Sequence, residues 1–290
     1  MIAPRLFALS LLAAGASPAL GVVVYDAGTL SDVPNPTWYA RFDADGTAPV
    51  AGNASSVVVG TNQIITTKHQ TNGNPSPSAI FEIPSGANAG IYKTVSETPV
   101  PNVDLRVFTV SKLDGSPANF STFANVFTGP LLTYNVVIGG YGRQISTPLA
   151  GGTGLNVTSS PNNNTYDLLQ GQNRIYGTAT DPTYTFGHAT HFILADFDGP
   201  TEPGIDGVGK LPFEANVAEF DSGGGWFVKA DGMWQLIGVT VGTDTPNTAD
   251  YGDRLFAAYV TPFAALVPEP ALGLLAALPA LALQRRRRSR

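Results

Sequence analysis

The chain of 290 residues contains no cysteine, so neither a disulfide framework nor a thiolate metal site is open to it. Charge is scarce as well. Only 13% of the residues are charged against 43% hydrophobic, which excludes a disordered chain and provides for a full core. Basic residues are scarcer still, because Arg285, Arg286, Arg287, Arg288 and Arg290 crowd the last six positions. Setting those five aside with Arg5 and Glu269 leaves 10 basic residues facing 21 acidic ones, a net of −11. A body that acidic lacks the basic footprint that phosphate binding needs, which argues against nucleic acid as a partner. No uninterrupted apolar run reaches the ~20 residues of a spanning helix. Internal repeats and long amphipathic helical patterns are also missing, and there are only three histidines, His69, His188 and His191.

What the chain does have is turns and short β-prone runs. With 32 Gly and 23 Pro, segments rich in Val, Ile, Thr, Phe and Tyr recur along residues 22–266. The clearest runs from Ser55 through Val57-Val58-Val59, turns at Gly60-Thr61-Asn62 and returns through Ile64-Ile65-Thr66-Thr67-Lys68 to His69, a hairpin that ends in a histidine. Further strands are expected around residues 22–25, 38–42, 79–83, 90–95, 103–110, 131–142, 173–176, 191–195, 226–229, 234–241 and 255–260. Residues 151–166, rich in Gly, Asn, Ser and Thr, have little to bury and are expected as a surface loop. Short strands at this spacing imply an all-β body of antiparallel barrels or a sandwich.

Both ends read as processing segments. Residues 1–21 combine Arg5, an apolar stretch over 6–14 and small residues at Ala19 and Gly21, the pattern of a signal peptide cleaved after Gly21. At the other end Val267-Pro268-Glu269-Pro270 precedes an apolar stretch over 271–283, broken by Pro279, and then the arginine cluster. This order closely resembles the PEP-CTERM sorting signal. The resemblance implies Sec export in a Gram-negative bacterium and transient inner-membrane association through 271–283. It also implies an exosortase as a partner, and release to the periplasm, cell surface or extracellular matrix.

The chemistry centres on Glu219-Phe220-Asp221-Ser222-Gly223-Gly224-Gly225-Trp226-Phe227, a hydroxyl between a carboxylate and three glycines. Serine becomes a nucleophile only when a base takes its proton and N–H donors accept the charge that develops on the attacked carbonyl. His69, at a strand exit, suits the base. His188 and His191 lie three apart, a pair more often found on a surface than on a metal. Asp104, between Val103 and Leu105, occupies an expensive place for a carboxylate unless something pairs with it, and a histidine N–H is one such partner. Asp196-Phe197-Asp198-Gly199 begins like a calcium loop, but Pro200 and Gly207 stand where the EF-hand pattern needs oxygen ligands. No metal and no cofactor are expected.

Taken in chain order, Thr66-Thr67-Lys68-His69, Val103-Asp104-Leu105 and Asp221-Ser222-Gly223-Gly224 resemble the trypsin-like (chymotrypsin-fold) serine peptidases. Val137-Ile138-Gly139-Gly140-Tyr141-Gly142 is similar to that family's strand ending in Gly-aromatic-Gly, and Leu236-Ile237-Gly238-Val239-Thr240-Val241-Gly242 to the strand lining its substrate cleft. The likeness covers about residues 55–263. It implies two antiparallel six-stranded β-barrels with a boundary near 115–130, a short C-terminal helix, and hydrolysis of protein or peptide substrates. His69 would be the general base and acid, Asp104 its orienting carboxylate and Ser222 the nucleophile. The N–H groups of Phe220 and Ser222 would form the oxyanion hole, with Asn216, Thr240 and Gly242 at the substrate pocket. Phe220 departs from the family's usual glycine, Gly225 from its proline, and Val22 does not open the usual Ile-Val-Gly-Gly start. The alternative is therefore a catalytically impaired domain that serves as a cell-surface or biofilm-matrix binding module.

Overall fold

The computed structural model describes residues 22–24, 30–44, 46, 54–71, 75–149, 152–158, 167–181, 190–201, 204–245 and 248–267. The expected signal peptide, and the expected sorting tail beyond Val267, lie outside these residues. Among the described residues no helix is long and apolar enough to cross a membrane.

The architecture is all-β. A two-residue strand β1 (Val23–Val24) precedes six strands: β2 (Tyr39–Asp43), β3 (Ala54–Gly60), β4 (Gln63–Thr66), β5 (Ile80–Ile83), β6 (Gly90–Pro99) and β7 (Arg106–Lys112). These six close into an antiparallel barrel in the order β2-β3-β4-β7-β6-β5. The predicted hairpin is β3 and β4, turning through Thr61 and Asn62 with a register shift between Val58 and Gly60. Asp104 precedes β7 by two residues instead of opening it, because the strand starts only at Arg106.

The chain crosses through β8 (Asn125–Val126) to β9 (Asn135–Gly140), β10 (Gln144–Pro148), β11 (Gly154–Thr158), β12 (Leu169–Arg174), β13 (Gly177–Asp181), β14 (Thr190–Asp196), β15 (Ala215–Asn216), β16 (Gly225–Ala230), β17 (Met233–Thr243), β18 (Thr248–Asp250) and β19 (Arg254–Tyr259). Seven of them form an open sheet, β12-β9-β16-β17-β19-β14-β13, with β8 parallel to β17 at one side. No continuous ladder closes this sheet among the described residues, so of the two expected six-stranded barrels only the first is seen. It does curl. The Tyr176 N–H donates to the Leu194 carbonyl, and Asn173 Nδ2 to that of Asp196, joining the end of β12 to β14. A six-residue 3-10 helix, Thr261–Leu266, follows β19.

The stretch expected as a loop over 151–166 contains strand β11, paired to β10 and β18. Its polar composition hid an alternation: Leu155 and Val157 are two apart and both bury into the second-lobe core.

Alternation also explains why the central strands read as continuous apolar runs. On β3 and β4, Val58 and Ile64 fill the barrel interior with Phe42, Phe81 and Phe108. Their neighbours Val57, Val59 and Ile65 face the other way, into a seam shared with Tyr141, Phe227, Leu236 and Val239 of the second lobe. Beyond that seam, Val136, Ile138, Trp226, Val228 and Ile237 form the second-lobe core. Strands buried on both faces lose the polar half of the period-two pattern. The site lies at one end of this seam.

Candidate active site

His69 begins a 3-10 turn separated from the end of β4 by two residues, Asp104 sits in the bend before β7, and Ser222 occupies the turn before β16. Strands β4 and β7 are paired neighbours, so the histidine and the aspartate leave the barrel side by side. Asp104 is fully buried, and its carboxylate is well supplied with donors. The N–H groups of Lys68 and His69 donate to Oδ1 at 2.8 and 3.0 Å, and His69 Nδ1 lies 2.6 Å from Oδ2. A carboxylate is acceptor-only, so this contact holds the imidazole proton on Nδ1 and leaves the Nε2 lone pair outward. Ser222 Oγ lies 2.8 Å from that Nε2 and 3.2 Å from the Val241 carbonyl. Val241 reaches the serine because β17 shifts register between Thr240 and Gly242.

The serine turn itself is held from several sides. Gly223 has φ +88°, and a β-carbon there would run into the Ser55 carbonyl and the Thr66 hydroxyl. The Gly223 N–H donates to the Thr240 carbonyl and the Gly224 N–H to that of Asp221, both at 2.8 Å. The Ser222 carbonyl accepts from the Ser55 N–H at 2.8 Å and from Gln70 Nε2. The Ser222 N–H meets no acceptor among the described residues.

Phe220 adopts φ 76°, a left-handed conformation that costs a residue with a β-carbon ~1–2 kcal/mol. Its surroundings over-determine it. The Ser55 hydroxyl donates to the Phe220 carbonyl at 3.0 Å, and the Arg143 N–H to the preceding carbonyl, of Glu219, at 2.8 Å. The Arg143 guanidinium stands over the Phe220 ring at 5.2 Å and pairs with Glu219 Oε2 at 2.7 Å.

Asp221, fully buried, turns away from the cleft. It accepts the N–H groups of Gly142 and Ala218 at 2.8 Å each, while desolvation pushes its carboxyl up to about 7. Val22 is buried in the core cluster that contains Ala218.

The cleft over the serine has a volume of about 390 Å³ and is lined by His69, Gln70, Ala218, Glu219, Phe220, Ser222, Val241, Gly242 and Thr243. Of the residues expected at a substrate pocket, Gly242 is there. Asn216 and Thr240 are buried with their side chains engaged elsewhere. Asn216 Nδ2 approaches Asp253 Oδ2 at 3.5 Å, and its Oδ1 accepts the Val217 N–H. Thr240 Oγ1 accepts Trp226 Nε1 at 3.0 Å, so only its backbone serves the serine turn. Ser55 and Gln70 were missed because nothing in Ser55-Ser56 or His69-Gln70 marks a side chain that will bond to a turn more than 150 residues away.

His191 lies exposed on β14 opposite Thr180, and His188 is outside the described residues. Asp196 and Asp198 are buried, and the Asp196 carboxylate accepts the N–H groups of Ile205 and Asp206. Burial and neighbouring carboxylates push Asp198 up to about 7 and Glu214 to about 8. Among the described residues, no three side chains of metal-ligating type are grouped to hold an ion. No protein-family model matches the chain, and no curated protein matches it.

Proposed function

We propose that the chain is an exported serine endopeptidase of the trypsin-like kind, its curled second sheet being the counterpart of the first barrel. The observation that carries this reading is the relay Asp104 Oδ2 to His69 Nδ1 at 2.6 Å and His69 Nε2 to Ser222 Oγ at 2.8 Å, open to a cleft. In this reading His69 takes the Ser222 proton as Oγ attacks the substrate carbonyl, and Asp104 stabilises the imidazolium. His69 then protonates the leaving amine, and water hydrolyses the acyl-enzyme by the reverse sequence.

The developing oxyanion would be met by the N–H groups of Ser222 and Phe220. Two features support the second donor. A trans peptide places N–H and C=O on opposite sides, and the Glu219 carbonyl is turned toward Arg143, which sends the Phe220 N–H the other way. The left-handed φ of Phe220 is also one that glycine adopts freely, so the substitution does not by itself force the peptide over.

A fluorophosphonate probe on the purified body tests the proposal. Labelling that disappears in Ser222→Ala is expected, together with cleavage of a peptide library. A folded protein that neither labels nor cleaves would leave the non-catalytic binding module in its place. Export, exosortase recognition and surface attachment rest on the terminal segments. Fractionating cells that express the chain with and without residues 267–290 tests them, and identical distributions would remove that part.

A further inference from the structure

We propose that Ser55 is a positioning residue for the oxyanion hole, its hydroxyl holding the Phe220–Asp221 peptide from the opposite lobe; this rests on the peptidase reading above. Ser55 is fully buried on β3, a strand of the closed barrel, yet its contacts run to the second lobe. The hydroxyl donates to the Phe220 carbonyl at 3.0 Å and accepts the Tyr141 N–H at 2.8 Å, using its one proton and a lone pair in fixed directions. Its own N–H donates to the Ser222 carbonyl at 2.8 Å, and its carbonyl accepts Thr66 Oγ1 at 2.8 Å. One residue therefore grips the turn at the carbonyls of 220 and 222, the two residues whose N–H groups the peptidase reading assigns to the oxyanion.

The side chain matters here because Phe220 is not glycine. A left-handed phenylalanine relaxes toward negative φ when its flanking carbonyls are released, and that rotation swings the neighbouring peptide planes. Arg143 fixes the peptide before Phe220, and Ser55 fixes the peptide after it. With both held, φ and ψ of residue 220 are set. Removing the hydroxyl leaves the N–H donor present but loosely aimed, while the His69–Asp104 pair keeps its contacts.

Steady-state kinetics on a fluorogenic peptide, with far-UV circular dichroism to establish folding, test the role. Outright loss of a hole donor lowers turnover ~10²- to 10³-fold, so a donor retained but misaimed in Ser55→Ala should lower kcat about 10- to 100-fold. KM should stay within about twofold, and the acid limb of the pH profile should not move, because the base is intact. Ser55→Cys keeps the shape with a weaker donor, and an intermediate kcat is expected; it replaces the alanine variant if that fails to fold. A folded variant with kcat within about threefold of the parent would overturn the assignment. So would a loss carried by KM alone, or a shifted acid limb. If the unaltered protein neither turns over nor labels, the peptidase reading itself has failed, and the role of Ser55 goes with it.

Discussion

The two halves of the site are built on opposite plans. The first lobe delivers side chains: His69 and Asp104 leave adjacent strands of a closed ladder, and their chemistry is carried by an imidazole and a carboxylate. The second lobe delivers backbone. Its turn at 220–224 is held at its carbonyls by Ser55, Gln70 and Arg143, at the Asp221 carboxylate by the Gly142 N–H, and by backbone bonds to Thr240 of β17. A side chain needs only a firm strand beneath it. A peptide plane needs its neighbours pinned on both sides, which is why the strained residue of the site, Phe220, belongs to the second lobe.

That contrast can be attacked in order of expected effect. Ser222→Ala and His69→Ala each remove an indispensable side chain, and turnover should fall by about 10⁶-fold in either case; unequal losses in a titration of residual rate would show that the two do not act as a unit. Asp104→Asn keeps the shape but disturbs the tautomer, with a loss of about 10⁴-fold in kcat expected and a circular dichroism spectrum unchanged.

Asp221 probes the second lobe through stability. Its folded value of about 7 lies above the ordinary 3.8. The folded state therefore binds the proton more tightly, and the stabilisation is complete below pH ~4 and is lost as the pH rises through 7. Asp221→Asn removes that dependence. The stability difference between parent and variant should change by on the order of 4 kcal/mol across this window, read from urea midpoints at each pH. Asp198 and Glu214, also raised, leave a residual slope of the same sign. Parallel pH curves for parent and variant would mean that Asp221 does not titrate there.

The smallest effect tests the backbone plan most directly. Phe220→Gly relieves a left-handed residue while keeping its N–H, so kcat should stay within about threefold, whereas Phe220→Val, β-branched and poorly suited to positive φ, should fall well below it. Equal kinetics for the two would break the comparison.

The same division decided what the sequence could reveal. The pairing of His69 with Asp104 was legible because three histidines offer few choices and because Asp104, between apolar Val103 and Leu105, needed a partner. Ser222 was legible from its glycines. The direction of a peptide plane has no letter in the sequence, so the state of Phe220 was not. Nor does a position six residues before the serine dictate a rotamer, and Asn216, expected at the pocket, turns to Asp253. The central strands were visible as runs, whereas β8, β10, β11, β13, β15 and β18 were not, β11 because only two of its residues are apolar and buried. The curl of the second sheet depends on contacts such as Tyr176 to Leu194, which periodicity does not encode.

The seam has a further consequence. Tyr39, Val57, Ile65 and Val107 from the barrel share one apolar cluster with Tyr141, Phe227, Leu236 and Val239 from the sheet. Pulling the lobes apart would wet that whole cluster at once, a loss of about 25 cal/mol for every Å² exposed. Denaturation should thus be concerted, with one transition whichever lobe is monitored, and the slowest amide exchange should map to strands β3, β4, β16 and β17 together.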